Sequence, residues 1–168
     1  MSLLFLTVFY VYLVKVLDYT LFQFQSLIVL KHFVPELIVR GQEVGQICNL
    51  VPLFTLTVGD LKTSLLNILL MVPFGFGLPF ITNLRFKMIV AVGVLFSIAI
   101  ELSQLITGLI GGVTFRIADV NDVIFNTIGV STGCMLFVGF MRIFRHACRN
   151  WEVSANPILR YLDERPRA

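Results

Sequence analysis

Four stretches of this sequence, each about 20 residues long, consist mostly of apolar side chains. A helix needs about 20 such residues to cross the hydrocarbon core of a bilayer. The composition agrees with four spanning helices, because 57% of the 168 residues are hydrophobic and only 14% are charged, against about a quarter in soluble domains. The predicted fold class is therefore all-α, a polytopic membrane helical bundle. The predicted spans are residues 2–22, 63–83, 88–110 and 119–141.

The first span is less regular than the others, because Lys15 and Asp18 interrupt it. On a helix these two residues, three apart, are predicted to pair or to extend towards an interface. Residues 19–34 either prolong this helix or lie along the membrane surface as an interfacial amphipathic helix. One integral-membrane domain is predicted over residues 1–150, followed by a polar cytoplasmic tail over residues 151–168.

Basic residues at the ends of the spans predict the orientation. Arg85 and Lys87 lie between spans two and three, and the tail after span four carries several arginines, beginning with Arg142. Short segments rich in lysine and arginine stay in the cytoplasm. The chain is thus predicted to be a multi-pass plasma-membrane protein with both termini in the cytoplasm. Residues 35–62 and 111–118 then face outward.

Glu101 lies inside one of the most apolar parts of the chain, SIAIELSQLITG at residues 97–108. A helix rises about 1.5 Å per residue, which puts Glu101 and Asn126 each roughly 15 Å below the predicted outer ends of their helices. Asn67 lies about 7 Å inside the start of span two by the same measure. Polar residues of three spans are therefore predicted to lie in the same outer half of the membrane.

These residues also share helix faces. Residues at spacings i, i+3, i+4 and i+7 form one stripe of a helix. Polar side chains at membrane depth nearly always face the bundle interior or a wet cavity. We therefore predict a polar pocket between spans two, three and four, open to the outer surface, with Arg116 neutralising one carboxylate. The alternative is that the polar residues only join helices through hydrogen bonds. The two stripes are Ser97, Glu101 and Gln104 in span three, and Asp119, Asp122 and Asn126 in span four.

Proline and glycine mark two further features. Pro73 in PFGFGLP at residues 73–79 leaves a backbone carbonyl without its helical partner, which predicts a kink or a broken helix near mid-membrane. Gly129 and Gly133 form a small-xxx-small pair, which predicts close helix packing.

Four motifs give the chain a family resemblance. NLVPL (49–53), NILLMVPFG (67–75), SIAIELSQ (97–104) and RIADVNDVIFNTIG (116–129) resemble the VanZ-like family in order and spacing, over about residues 45–135. The resemblance implies a small bacterial membrane protein. The family is named for a member that lowers sensitivity to teicoplanin, a lipidated glycopeptide antibiotic that binds cell-wall precursors. The positions that match the family are Asn49, Asn67, Pro73, Gly75, Glu101, Gln104, Arg116, Asp119, Asp122, Asn126 and Gly129.

Three kinds of function fit this sequence. The first is binding of a lipid-linked cell-envelope component or a lipoglycopeptide antibiotic, with membrane lipids as further partners and no nucleic acid. The second is a membrane enzyme acting on a (pyro)phosphate-linked envelope lipid. The third is a transporter or flippase, for which four spans are few, so a homodimer would be required. The predicted ligand-binding residues are Asn49, Asn67, Glu101, Gln104, Arg116, Asp119, Asp122 and Asn126.

The enzyme hypothesis assigns roles to four of these residues. Asp119 and Asp122 would hold a divalent cation through oxygen ligands, and Arg116 would contact a phosphate. Glu101 would act as a buried general acid or base. The sequence identifies no cofactor, and its three cysteines show no metal-ligand spacing.

Overall fold

The computed structural model describes residues 2–21, 48–52, 58–111 and 118–148. Arg116, most of the segment 19–34 and the tail 151–168 lie outside the described residues. The elements in chain order are α1 (Ser2–Leu21), β1 (Cys48–Asn49), α2 (Val58–Ile81), α3 (Phe86–Gly111), β2 (Ala118–Asp119) and α4 (Val120–Cys148).

Four helices in the described part of the chain are long and apolar enough to cross a membrane. This confirms the predicted all-α membrane bundle. Three helices are longer than the sequence predicts, since α2 begins at Val58, α3 begins at Phe86 and α4 continues to Cys148. Arg145 lies in the last turn of α4, where a positive charge interacts favourably with the helix dipole. The apolar span of α4 therefore continues into a polar end of the same helix.

The helices run alternately up and down. Near the start of α1, Phe5 stacks on Phe80 at 5.0 Å, and Phe80 contacts Phe137 of α4 at 4.9 Å. At the opposite end of the bundle, the Nε2 of Gln104 donates to the backbone carbonyl of Thr20 at 3.0 Å. The first residues of α1 and the last residues of α4 thus lie at the same end of the bundle as the link at residues 82–85. We call this end of the bundle the link end. The other end, which carries β1 and β2, is the strand end.

Helices α2 and α4 touch at the level of their backbones. A Cβ atom added at Gly75 would collide with the carbonyl of Val130, and one added at Gly133 would collide with the carbonyl of Val72. Without a solvent-driven hydrophobic effect, membrane helices associate largely through such close van der Waals contact. The contacts of Gly129 and Gly133 with α2 confirm the predicted role of this pair in helix packing.

Of the two alternatives predicted at Pro73, a kink or a broken helix, the broken helix is wrong, because α2 remains helical from Val58 to Ile81. The hydroxyl of Tyr12 in α1 adds a contact from a neighbouring helix to this turn. It donates to the carbonyl of Leu70 at 2.6 Å and also lies within hydrogen-bonding reach of the backbone of Phe74. Membrane helices tolerate proline where neighbouring helices satisfy the disturbed backbone groups.

A second proline in α2 is accommodated in a similar way. Pro79 has no N–H, so the carbonyl of Gly75, four residues earlier, lacks its helical donor. The Sγ of Cys134 in α4 lies 3.4 Å from that oxygen and donates a weak hydrogen bond to it. The buried thiol therefore contributes to the contact between α2 and α4.

Candidate functional site

Two very short parallel strands bring distant polar residues together at the strand end. β1 precedes α2 and β2 precedes α4, and their register pairs Asn49 with Asp119. The Nδ2 of Asn49 lies 3.2 Å from both carboxylate oxygens of Asp119. The Oδ1 of Asn49 in turn accepts the N–H of Val51 at 3.1 Å, which holds the amide in an Asx turn.

Asp119 is the N-cap of α4. Its Oδ1 accepts the backbone N–H of Asn121 at 2.8 Å, and the helix begins at Val120. The prediction that Asp119 shares a helical stripe with Asp122 and Asn126 is therefore wrong for Asp119, because its backbone belongs to β2. Aspartate is a preferred capping residue, and this local preference sets the helix start after it.

Glu101 approaches the same group from α3. Its side chain is only 8% exposed, and its Oε2 accepts the backbone N–H of Asp119 at 2.9 Å. Asn49, Glu101 and Asp119 thus come from three separate parts of the chain, and we refer to them as the strand-end cluster.

A second polar group lies about one turn of α3 towards the link end, at the level of Ser97. Ser97 is fully buried, and its Oγ accepts a hydrogen bond from the Nδ2 of Asn126 at 2.7 Å. Asn67 of α2 is 5% exposed, as is Asn126. The carbonyl of Ile68, the next residue in α2, lies against Gly129 of α4, which puts Asn67 near the level of Asn126.

We call Asn67, Ser97 and Asn126 the asparagine layer. Within the part of the chain that the structure describes, the Nδ2 of Asn67 and the Oδ1 of Asn126 have no hydrogen-bond partner. A buried polar group left without a partner costs about 1–3 kcal/mol. A further hydrogen-bonding group at either of these two atoms would therefore be stabilising.

Beneath the asparagine layer the interior is apolar. Met71, Ile89 and Val130 are at most 1% exposed, and we call them the apolar floor. A Cβ added at Gly93 would lie 2.6 Å from the side chain of Val130, so α3 also packs tightly here. Among the described residues, the polar interior of the bundle is thus closed on the side of the link end.

Gln104 belongs to a different contact. It is buried, as are Ser97 and Glu101, which confirms that this stripe of α3 faces the bundle interior. However, its Nε2 binds the carbonyl of Thr20 in α1, so Gln104 joins α3 to α1. Its Oε1 is a third buried atom for which the described residues provide no partner.

The remaining predicted site residues have different positions. Asp122 is half-buried in the first turn of α4, and Arg116 lies outside the described residues. Asn121 is buried beside the cap but was not predicted, and its only signal in the sequence is its position two residues after Asp119. No group of three or more His, Cys, Asp or Glu side chains in the described ranges is arranged to hold a metal ion.

The fold and these buried polar groups define a multi-pass, all-α membrane protein with a polar interior near one end of its bundle. The family model described as VanZ/LLP1 matches residues 3–145, so the chain belongs to the VanZ/LLP1 family. The match is longer than the region of the four motifs and includes nearly all of α1. Comparison with curated proteins and with solved structures gives no match.

Proposed function

We propose that this protein binds a lipid-linked cell-envelope component or a lipoglycopeptide antibiotic at the outer leaflet, and thereby lowers susceptibility to teicoplanin-type antibiotics. The polar head group of the ligand would enter a pocket at the strand end. The main support is the buried Glu101 carboxylate, which is held beside Asp119 within a predominantly apolar bundle. Buried ionisable groups in membrane segments are costly and usually functional.

The proposed orientation rests on the basic residues. Arg85 in the link and Arg142 near the end of α4 both lie at the link end, and short basic segments remain in the cytoplasm. The strand end then faces outward, where envelope lipids and antibiotics are encountered. The other proposed contacts at this end are Asp122, Gln104 and Arg116.

The hydrogen bonds favour binding over catalysis. Both carboxylate oxygens of Asp119 accept bonds from Asn49, and one of them also caps α4. Glu101 accepts a backbone N–H. An Asp119 carboxylate used in this way holds the site in shape, whereas the enzyme hypothesis requires it to bind a cation.

Substitution of Glu101 tests the proposal. Glu101→Gln preserves the shape of the side chain and an oxygen that can accept the Asp119 N–H, but removes the charge. In a susceptible bacterium, the unaltered protein should raise the inhibitory concentration of teicoplanin, and Glu101→Gln should abolish this effect at equal amounts in the membrane. Asp18→Asn is the matched control, because Asp18 is an exposed carboxylate paired with Lys15 at 3.6 Å.

Full protection by Glu101→Gln, or none by the unaltered protein, would contradict the proposal. Incubation of the purified protein with polyprenyl pyrophosphate, with and without divalent cations, tests the enzyme alternative by measuring turnover. Turnover that Glu101→Gln removes would favour that alternative.

A further inference from the structure

The two unpaired atoms of the asparagine layer are complementary. Asn67 presents a donor, its Nδ2, and Asn126 presents an acceptor, its Oδ1. The two residues lie on α2 and α4, whose backbones pack closely one turn deeper, at Gly129. The other end of the Asn126 amide is held by Ser97, so its Oδ1 is directed away from that hydroxyl.

These groups lie between two regions of different polarity. The strand-end cluster, with two carboxylates, is about one turn nearer the strand end. The apolar floor closes the bundle on the other side. In an amphiphile that carries a polar head group, a neutral linking group and an acyl chain, the head group would match the strand-end cluster and the linking group would match the asparagine layer.

We propose that the asparagine layer is a second binding subsite, which takes a neutral ligand group that both donates and accepts hydrogen bonds. A secondary amide or a hydroxyl that joins a head group to an acyl chain has this chemistry. Its oxygen accepts from the Nδ2 of Asn67, and its N–H or O–H donates to the Oδ1 of Asn126. Because the apolar floor blocks the bundle axis, the acyl chain leaves sideways between helices. This subsite deepens the proposed function and rests on it.

Simple amphiphiles test the subsite without knowledge of the natural ligand. The full-length protein in lipid nanodiscs is titrated with N-methyldodecanamide, which donates and accepts, and with methyl dodecanoate, which only accepts. Binding is followed by NMR through the side-chain amide signals of Asn67 and Asn126. The amide probe should bind about tenfold more tightly, because the ester leaves the Oδ1 of Asn126 without a donor.

Two variants assign the two hydrogen bonds. Asn126→Leu should reduce affinity for the amide probe to that for the ester and leave ester binding unchanged. Asn67→Leu should weaken both probes about tenfold, because both use its donor. Thr132→Val is the control, since Thr132 is exposed on α4 and its hydroxyl bonds only to the carbonyl of Ile128 at 2.8 Å.

Equal affinity for the two probes, or no change in the Asn67 and Asn126 signals, would overturn the subsite and indicate a buried water or a plain helix contact. The probe series with the unaltered protein decides this even if a variant fails to fold. Amide selectivity without any effect of the protein on teicoplanin susceptibility would uphold the subsite and refute the proposed function. Antibiotic protection that depends on Glu101, without selectivity for the amide probe, would uphold the proposed function and refute the subsite.

Discussion

Asp119 is the residue whose removal should most disturb the strand end. In Asp119→Ala, the cap on Asn121 is lost, which costs about 1 kcal/mol. The contacts with the Nδ2 of Asn49 are lost too, and at 3.2 Å they are long, so together they contribute about 1–2 kcal/mol. The bond from the Asp119 N–H to Glu101 uses the backbone and is kept. The free energy of unfolding should therefore fall by about 2–3 kcal/mol.

The two contributions can be separated by further variants. Asp119→Ser keeps a capping oxygen but is too short for Asn49, so it should recover about 1 kcal/mol relative to Asp119→Ala. A double-mutant cycle of Asp119→Ala with Asn49→Ala should give a coupling of about 1 kcal/mol. Unfolding by SDS in mixed micelles, followed by circular dichroism, measures these differences. Asp18→Ala is the control, because an exposed ion pair contributes little.

The capping role of Asp119 would be refuted if Asp119→Ser and Asp119→Ala were equally unstable. A coupling energy near zero between residues 49 and 119 would show that the strand pair does not depend on this side-chain contact. Either result would leave the shape of the strand end without its proposed cause. The loss of stability in Asp119→Ala must also be separated from any loss of antibiotic protection, by comparing protein amounts in the membrane.

Two further predictions concern helix packing. Gly133→Leu should prevent normal assembly, because even its Cβ would collide with the backbone of α2. Gly139→Leu should assemble normally, since no atom of the described residues lies within 4 Å of a Cβ there. The amount of folded protein recovered in mild detergent reports both, and equal recovery would contradict the packing. Tyr12→Phe should lower the free energy of unfolding by about 1 kcal/mol, because it removes the bond to the Leu70 carbonyl. The exposed Tyr10→Phe should have no effect in the same SDS titration.

Much of the bundle could be predicted from the sequence because its signals are long and local. A stretch of about twenty mostly apolar residues leaves few alternatives to a spanning helix. The spacing of Ser97, Glu101 and Gln104 correctly predicts a buried stripe of α3. Gly129 and Gly133 likewise predict a surface that another helix can approach. Each of these signals lies within a single helix.

The features that could not be predicted depend on contacts between distant parts of the chain. A two-residue strand has no detectable alternation, so nothing in the sequence pairs Asn49 with Asp119. Asp119 and Asp122 are three residues apart, which is also the spacing of a helical stripe. The sequence alone does not show that Asp119 is the cap residue just before the helix and not part of it. Pro73 alone favours a kink or a break, and the hydroxyl of Tyr12 that contacts this turn of α2 comes from a different helix.

The distribution of polar groups along the bundle also bears on the transporter alternative. The strand-end cluster and the asparagine layer both lie on one side of the apolar floor. For a polar solute to pass along the bundle axis, Met71 and Val130 would have to move apart. Val130 also packs against Gly75 and Gly93, so α2, α3 and α4 would have to separate where they are most closely packed. The packing of the described residues therefore disfavours passage of a polar solute along the bundle axis.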